Sequence, residues 1–175
     1  MKALRALPDG IQAVLAMEPR IRELALKYSG YRTFMFTGRG INSPIALAGA
    51  LKLKEISYLH GEGSSGGELK HGPIALLDKD FPVVAICTNS ATREKMISNV
   101  HEMAARDAPV LALVTEGDNS ADAVAADTLV MPPADEFTGA LLNTVALQLF
   151  AYHVAVALGT DVDQPRNLAK SVTVE

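Results

Sequence analysis

The chain has a single cysteine, Cys87. It cannot close an internal disulfide, and its place in an apolar run marks a buried structural thiol more than a catalytic one. A reducing cytoplasm is the simple expectation. Basic charge is scarce as well. The 16 Lys and Arg against 20 Asp and Glu leave a net charge of -4, which argues against general nucleic-acid affinity. No run of about 18 consecutive apolar residues occurs, so no membrane span is expected. Met1-Lys2 is not followed by an apolar signal core, so secretion is not expected either. The four histidines, His60, His71, His101 and His153, have no metal-ligand spacing. Gly38-Arg39-Gly40 with Ser43 has the form of a phosphate-binding turn but is not GxGxxG, and no ribose-binding acid follows at the right distance. Neither metal nor organic cofactor is expected. No repeat, low-complexity stretch or linker divides the chain, so residues 1–175 read as one domain with a polar tail at 159–175.

Hydrophobic residues make up 49% of the chain, enough for a full core. Ile11, Val14, Leu15, Ile21, Leu24 and Ala25 recur at helical spacing, predicting a helix over 11–28. Pro8-Asp9-Gly10 would start it, and Pro19 would break it in two. Residues 33–37, TFMFT, form a short apolar run and so a buried strand. Ser43-Pro44 reads as an N-cap followed by proline, opening a helix to about Ser57. Strands are further predicted over 57–60, 81–87, 110–114 and 128–131. A helical turn is predicted over 74–77, and helices over 93–106 and 137–158. Apolar strands alternating with helices give a parallel sheet covered on both faces. Five of them make a three-layer α/β/α, flavodoxin-like, doubly wound fold. Ligands in such sheets bind beyond the carboxyl ends of the strands.

The chemistry concentrates in residues 49–73, GALKLKEISYLHGEGSSGGELKHGP. Lys52 and Glu55 leave one helix face together. A glycine-serine stretch, 61–67, reads as a mobile, phosphate-sized loop. His71 follows, just before Gly72-Pro73, where backbone constraints and not a helix face set its position. Carboxylate, amine and imidazole beside such a loop form the inventory of a proton-transfer site for an anionic substrate. Spacing alone also permits a plain solvated ion pair for Lys52 and Glu55. Thr88, Ser90 and Thr92 open the helix after the central strand. They can hold a phosphate, or one of them can be an ordinary N-cap. Lys170 lies in a tail that either dangles or docks through Pro165, Leu168, Val172 and Val174. A docked, desolvated lysine is an amine nucleophile toward a ketone.

Two segments, GALKLKEISYLH…GELKHGP and the C-terminal DVDQPRNLAKSVTVE, resemble the sugar isomerase (SIS) domains. Within that family they are most similar to the second SIS domain of the glutamine–fructose-6-phosphate aminotransferases, also called glucosamine-6-phosphate synthases. The resemblance runs from Leu4 to Glu175. It implies that Glu55 is the base moving a proton between C1 and C2 of the open-chain sugar, with Lys52 stabilising the developing charge. It implies that His71 assists ring opening as part of a neighbouring subunit's site, and that Lys170 forms a Schiff base with the C2 ketone. Thr88, Ser90, Thr92 and Ala169 would contact substrate. The implied ligands are fructose 6-phosphate and glucosamine 6-phosphate, and the implied assembly is a homodimer. In that family a glutaminase domain and a first SIS domain, which carries the main phosphate cradle, precede this unit. A half-site that binds sugar phosphate weakly by itself is therefore expected. The alternatives are a self-contained amino-sugar-phosphate isomerase or deaminase, with Thr88, Ser90 and Thr92 as its own cradle, and a non-catalytic sugar-phosphate-binding domain.

Overall fold

The computed structural model describes residues 2–167. Five strands, β1 Thr33–Gly38, β2 His60–Ser65, β3 Val83–Ile86, β4 Val110–Thr115 and β5 Asp127–Met131, form one parallel sheet in the order β2-β1-β3-β4-β5. This is the doubly wound order that the alternating pattern predicts. The helices are α1 Lys2–Ala16, α2 Glu18–Tyr28, α3 Asn42–Ser57, α4 Arg93–Ala104 and α5 Glu136–Ala157.

Strand side chains alternate between two cores, as the pleat requires. Phe34, Phe36, Val84, Ile86, Leu111 and Leu113 face α1, α2, α3 and α5. Met35, Val83, Ala85, Cys87, Val110 and Ala112 face α4, together with Leu69 and Leu77 from the β2–β3 connection. Each fully buried large side chain contributes roughly 1.5–3 kcal/mol. The layers are unequal. Four helices cover one face, whereas α4 and two short 3₁₀ turns, Leu69–His71 and Pro73–Leu76, cover much of the other. Among the described helices, α5 alone is long and apolar enough to cross a membrane. It buries Ala146, Leu147, Phe150 and Val154 in the first core, so its composition serves packing.

Several local expectations change. The first helical segment starts at Lys2, ahead of Pro8, because Leu7, Ile11 and Val14 share one stripe against the core. The chain breaks at Met17, and Pro19 sits in the first turn of α2, where a missing N–H is tolerated. Ser43 does not cap α3. Its hydroxyl donates to the Gly38 carbonyl (2.9 Å) and meets the Ser65 hydroxyl (3.1 Å), tying the ends of β1 and β2 together.

The largest correction concerns 61–67. Most of the expected mobile loop is β2, and its glycines answer to packing. A Cβ at Gly63 would lie 2.7 Å from the Leu47 Cα, and one at Gly61 would lie 3.0 Å from the Ala50 carbonyl oxygen. Helix α3 lies directly on this edge strand, so a side chain there would push the helix off the sheet. Of the expected strand at 57–60, Ser57 ends α3, Tyr58 is its left-handed C-cap (φ 63°), and His60 opens β2.

Candidate active site

Helix α3 buries Ala46, Gly49, Ala50 and Leu53. That orientation turns Lys52 and Glu55 outward, the Lys52 Nζ 2.5 Å from the Glu55 carboxylate. The lysine side chain keeps 41% of its exposure and the glutamate 25%, so both stay accessible while partly screened. Gly49 admits this arrangement, since a Cβ there would meet Leu147 Cδ1 at 2.8 Å and Phe36 at 3.0 Å. Beside Lys52 lies a notch of about 40 Å³ between α3 and α5, bordered by Ala48, Thr144 and Gln148. Around it α3 exposes Leu47 and Leu51, and α5 exposes Leu141, Tyr152 and Val156. The candidate pair therefore stands on an open, largely apolar helical face.

Its height on that face matters. Helix α3 begins at Asn42, at the carboxyl ends of the strands, and Glu55 is thirteen residues further on. At a rise of about 1.5 Å per residue, Glu55 lies roughly 20 Å down the helix axis from the crevice where doubly wound sheets bind ligands. The turn Thr88-Asn89-Ser90-Ala91-Thr92 is at that crevice, so the structure does not bring it to Glu55.

The turn is also poorly furnished for a phosphate. The Thr88 hydroxyl is 5% exposed at the residue level and accepts from the Asn143 amide at 2.8 Å. The same amide donates to Asn42 Oδ1 at 3.1 Å, so Thr88 faces a buried polar junction of β3, α3 and α5. The Asn89 N–H donates to Thr115 Oγ1, and the Ala91 N–H faces the Glu136 carboxylate at 3.4 Å. Arg93, the cation at the start of α4, is held by Asp118 through two bonds of 2.7 and 3.1 Å. Burial alone would raise the Asp118 carboxyl, but hydrogen bonds from Ser120 and Arg93 outweigh it and hold the group below its ordinary range. Thr92 caps α4 with no side-chain bond, and its buried hydroxyl has no partner among the described residues. Ser90 is half-buried.

His71 is exposed at the end of the first 3₁₀ turn. The preceding residues belong to the α4 side: Leu69 is in that core, and Lys70 pairs with Glu102 of α4 at 2.8 Å. His71 and Glu55 thus occupy opposite layers of one chain. Lys170 and Ala169 lie outside the described residues. The start of the tail is well placed: Thr160 Oγ1 donates to the Ile56 carbonyl (2.7 Å), and the Arg166 N–H donates to the Tyr58 hydroxyl (2.8 Å). The Arg166 guanidinium also stacks 4.2 Å over the Tyr58 ring. Both contacts are to residues one to three positions beyond Glu55.

Cys87 is wholly buried, and burial pushes its thiol up to about 12, as a structural thiol requires. His153 is buried beside Glu18, and His101 is exposed on α4. Sequence reasoning missed Asn42 and Asn143. The visible signal for Asn143 was an amide in a predominantly apolar helix.

The family described as SIS domain matches residues 27–158. A glutamine–fructose-6-phosphate aminotransferase (isomerizing) of Thermotoga maritima is 52% identical over 169 residues, 97% of this chain and 28% of the relative. The enzyme of the same description from Bacteroides thetaiotaomicron is 47% identical over 175 residues, again 28% of its length. Among solved structures, the C-terminal domain of glucosamine-fructose-6-phosphate aminotransferase from Francisella tularensis superposes with a TM-score of 0.86 at 36% identity. It covers 93% of this chain and 46% of that one. The chain spans little more than a quarter of the length of the curated relatives it matches.

Proposed function

The chain belongs to the SIS domain family, and on that premise we propose that it is the C-terminal isomerase unit of a glutamine–fructose-6-phosphate aminotransferase. It would supply the base and the imine-forming lysine that convert fructose 6-phosphate toward glucosamine 6-phosphate. The observation that carries the reading is the pairing of Lys52 with Glu55 on an open helix face, with the C-terminal arm returning to the end of that same helix. Lys170 is four residues beyond Arg166, a reach of at most about 14 Å of chain.

In this mechanism the Lys170 amine adds to the C2 carbonyl of the open-chain sugar and water leaves, giving an imine. The imine acidifies the C1 hydrogens. Ammonia then adds at C2 and displaces the Lys170 amine, and Glu55 removes a C1 hydrogen and returns a proton at C2 while the Lys52 ammonium stabilises the charge that develops between. Histidine titrates near neutral pH and suits ring opening. His71 lies on the other layer from Glu55, and in this reading a neighbouring copy provides it. The exposed Leu47, Leu51, Leu141, Tyr152 and Val156 offer apolar area for a covering domain. We therefore read the unit as one domain, 1–175, working in the cytoplasm within a homodimer, beside a first SIS domain that holds the phosphate and a glutaminase that feeds ammonia.

The test is deuterium uptake at C1 of fructose 6-phosphate in D2O, followed by NMR. It is run on this chain alone and with the first SIS domain of a relative supplied. Uptake is expected in the second case and strongly reduced in the first. Borohydride reduction with the sugar present should leave a mass adduct on Lys170. Uptake that persists unchanged in Glu55→Gln would sink the reading.

A further inference from the structure

On the α4 side of the sheet, away from Lys52 and Glu55, a polar cleft of about 250 Å³ opens between the end of β2 and helix α4. Arg39, Lys70 and Lys95 bring three cations to it, and Glu102 is its one carboxylate. The cleft has a built scaffold. Asn99, 5% exposed, accepts from Arg39 Nη1 at 3.0 Å and donates to Glu102 at 3.2 Å. Arg39 Nη1 also donates to the Gly66 carbonyl at 3.1 Å. One guanidinium nitrogen thus anchors the side chain at the cleft wall, and the others make no hydrogen bond among the described residues.

The glycines keep that surface uncovered. At Gly66 a Cβ would meet Asn99 Oδ1 at 2.9 Å and Arg39 Cγ at 3.0 Å, so the arginine stem packs flush on the backbone. At Gly67 a Cβ would stand 3.5 Å from Arg39 Nη2, in ordinary contact, shielding it. Glu102 is already satisfied. The hydrogen bond from Lys70, ahead of that from Asn99, holds its carboxyl below the usual range. Ser98 adds a hydroxyl at the rim.

We propose that this cleft binds a phosphate group, free or at the end of a small phosphorylated metabolite, at a place separate from the sugar site on α3. Two net positive charges match a phosphate monoester, which carries about -1.5 to -2 at neutral pH. The 88–92 turn, by contrast, presents the Glu136 carboxylate. Binding draws Lys70 away from Glu102, and Lys70 is the residue before His71 in the same 3₁₀ turn. Occupancy is thereby coupled to the placement of His71, which makes the cleft a regulatory position.

The experiment is a titration of the ¹⁵N-labelled chain with inorganic phosphate in chloride buffer, with fructose 6-phosphate in a parallel arm. Saturable shifts are expected at the amides of Gly66, Gly67, Lys95 and Ser98. The tighter of the two ligands identifies the source of the phosphate. Shifts at Lys52 and Glu55 report the sugar site and are scored apart, so failure of one site is not read as failure of the other. Arg39→Gln should weaken binding about tenfold and Lys95→Gln about threefold. Gly67→Ala should weaken it about threefold with no change of charge, which diffuse electrostatic attraction would not produce. Lys95 is exposed, so its variant remains informative if Arg39→Gln fails to fold. Shifts confined to 88–92, shifts that never saturate, or wild-type affinity in both Lys95→Gln and Gly67→Ala would overturn the assignment.

Discussion

On one face of the sheet four helices press close, with glycines at the contacts and leucines left on the outer side. On the other a single helix and two 3₁₀ turns leave an arginine and two lysines around an open cleft, with His71 exposed in the adjoining turn. The first face carries the Lys52–Glu55 pair; the second carries the His71 imidazole. An apolar, rigid, exposed surface suits a partner domain that excludes water, whereas a charged, looser one suits small ions. The proposed catalytic groups are therefore divided across the sheet, and no rearrangement of side chains within one chain unites them.

Mixing variants tests this division most strongly. In the assembled enzyme, Glu55→Gln and His71→Asn should each lower C1 deuterium uptake, the first by about 10²- to 10⁴-fold. If each site draws on two copies, an equal mixture of the two variants should recover about a quarter of the wild-type rate, because half the random dimers contain one intact site. Recovery absent under exchange conditions would place both groups in one chain's site and break the comparison.

Two glycines of the same strip give the next contrast. Gly63→Ala drives a Cβ into the backbone of α3, and should lower stability by about 1–3 kcal/mol in denaturant melts. Gly67→Ala, on the cleft side, meets only ordinary contacts and should stay within about 0.5 kcal/mol. Equal losses would mean that the two faces are packed alike. The outer leucines come third. Leu47→Glu with Leu51→Glu should weaken self-association at least tenfold by sedimentation, since each places a charge in an apolar contact. An unchanged dimer would move the interface elsewhere.

The smallest effect is electrostatic. Glu102 is held below its ordinary range, so its contribution is present above the unfolded value near about 4.3 and is lost as pH falls through the folded value. Glu102→Gln should flatten the stability profile between about pH 5 and 3, by no more than a few tenths of a kcal/mol for so accessible a pair. A steeper profile in the variant would contradict the sign.

The alternation of apolar runs and helices made a five-stranded parallel sheet legible from the residues alone. Lys52 and Glu55 were legible as a pair, because Ala46, Gly49, Ala50 and Leu53 mark the side of α3 that seats on the sheet, and the opposite positions project outward. Gly61 and Gly63 misled. Glycine signals loops and close contacts alike, and only the seating of α3 on β2 separates the two. Ser43 misled for a similar reason: a hydroxyl before proline resembles a cap until a neighbouring strand claims it. Asn143 was a polar residue in a predominantly apolar helix, and its partners, Asn42 and Thr88, are 101 and 55 positions away.

Pattern and composition by themselves determined a doubly wound α/β unit, a buried unreactive thiol and an outward-facing lysine–glutamate pair. Those follow from periodicity and burial, which are local in the chain. Tertiary structure alone decided that His71 and Glu55 lie on opposite layers, that the hydroxyl turn stands far from Glu55, and that Arg39 meets Asn99 across a cleft. The side of the sheet on which a residue emerges is set by the handedness of each crossover and the register of each strand, and no short spacing records either.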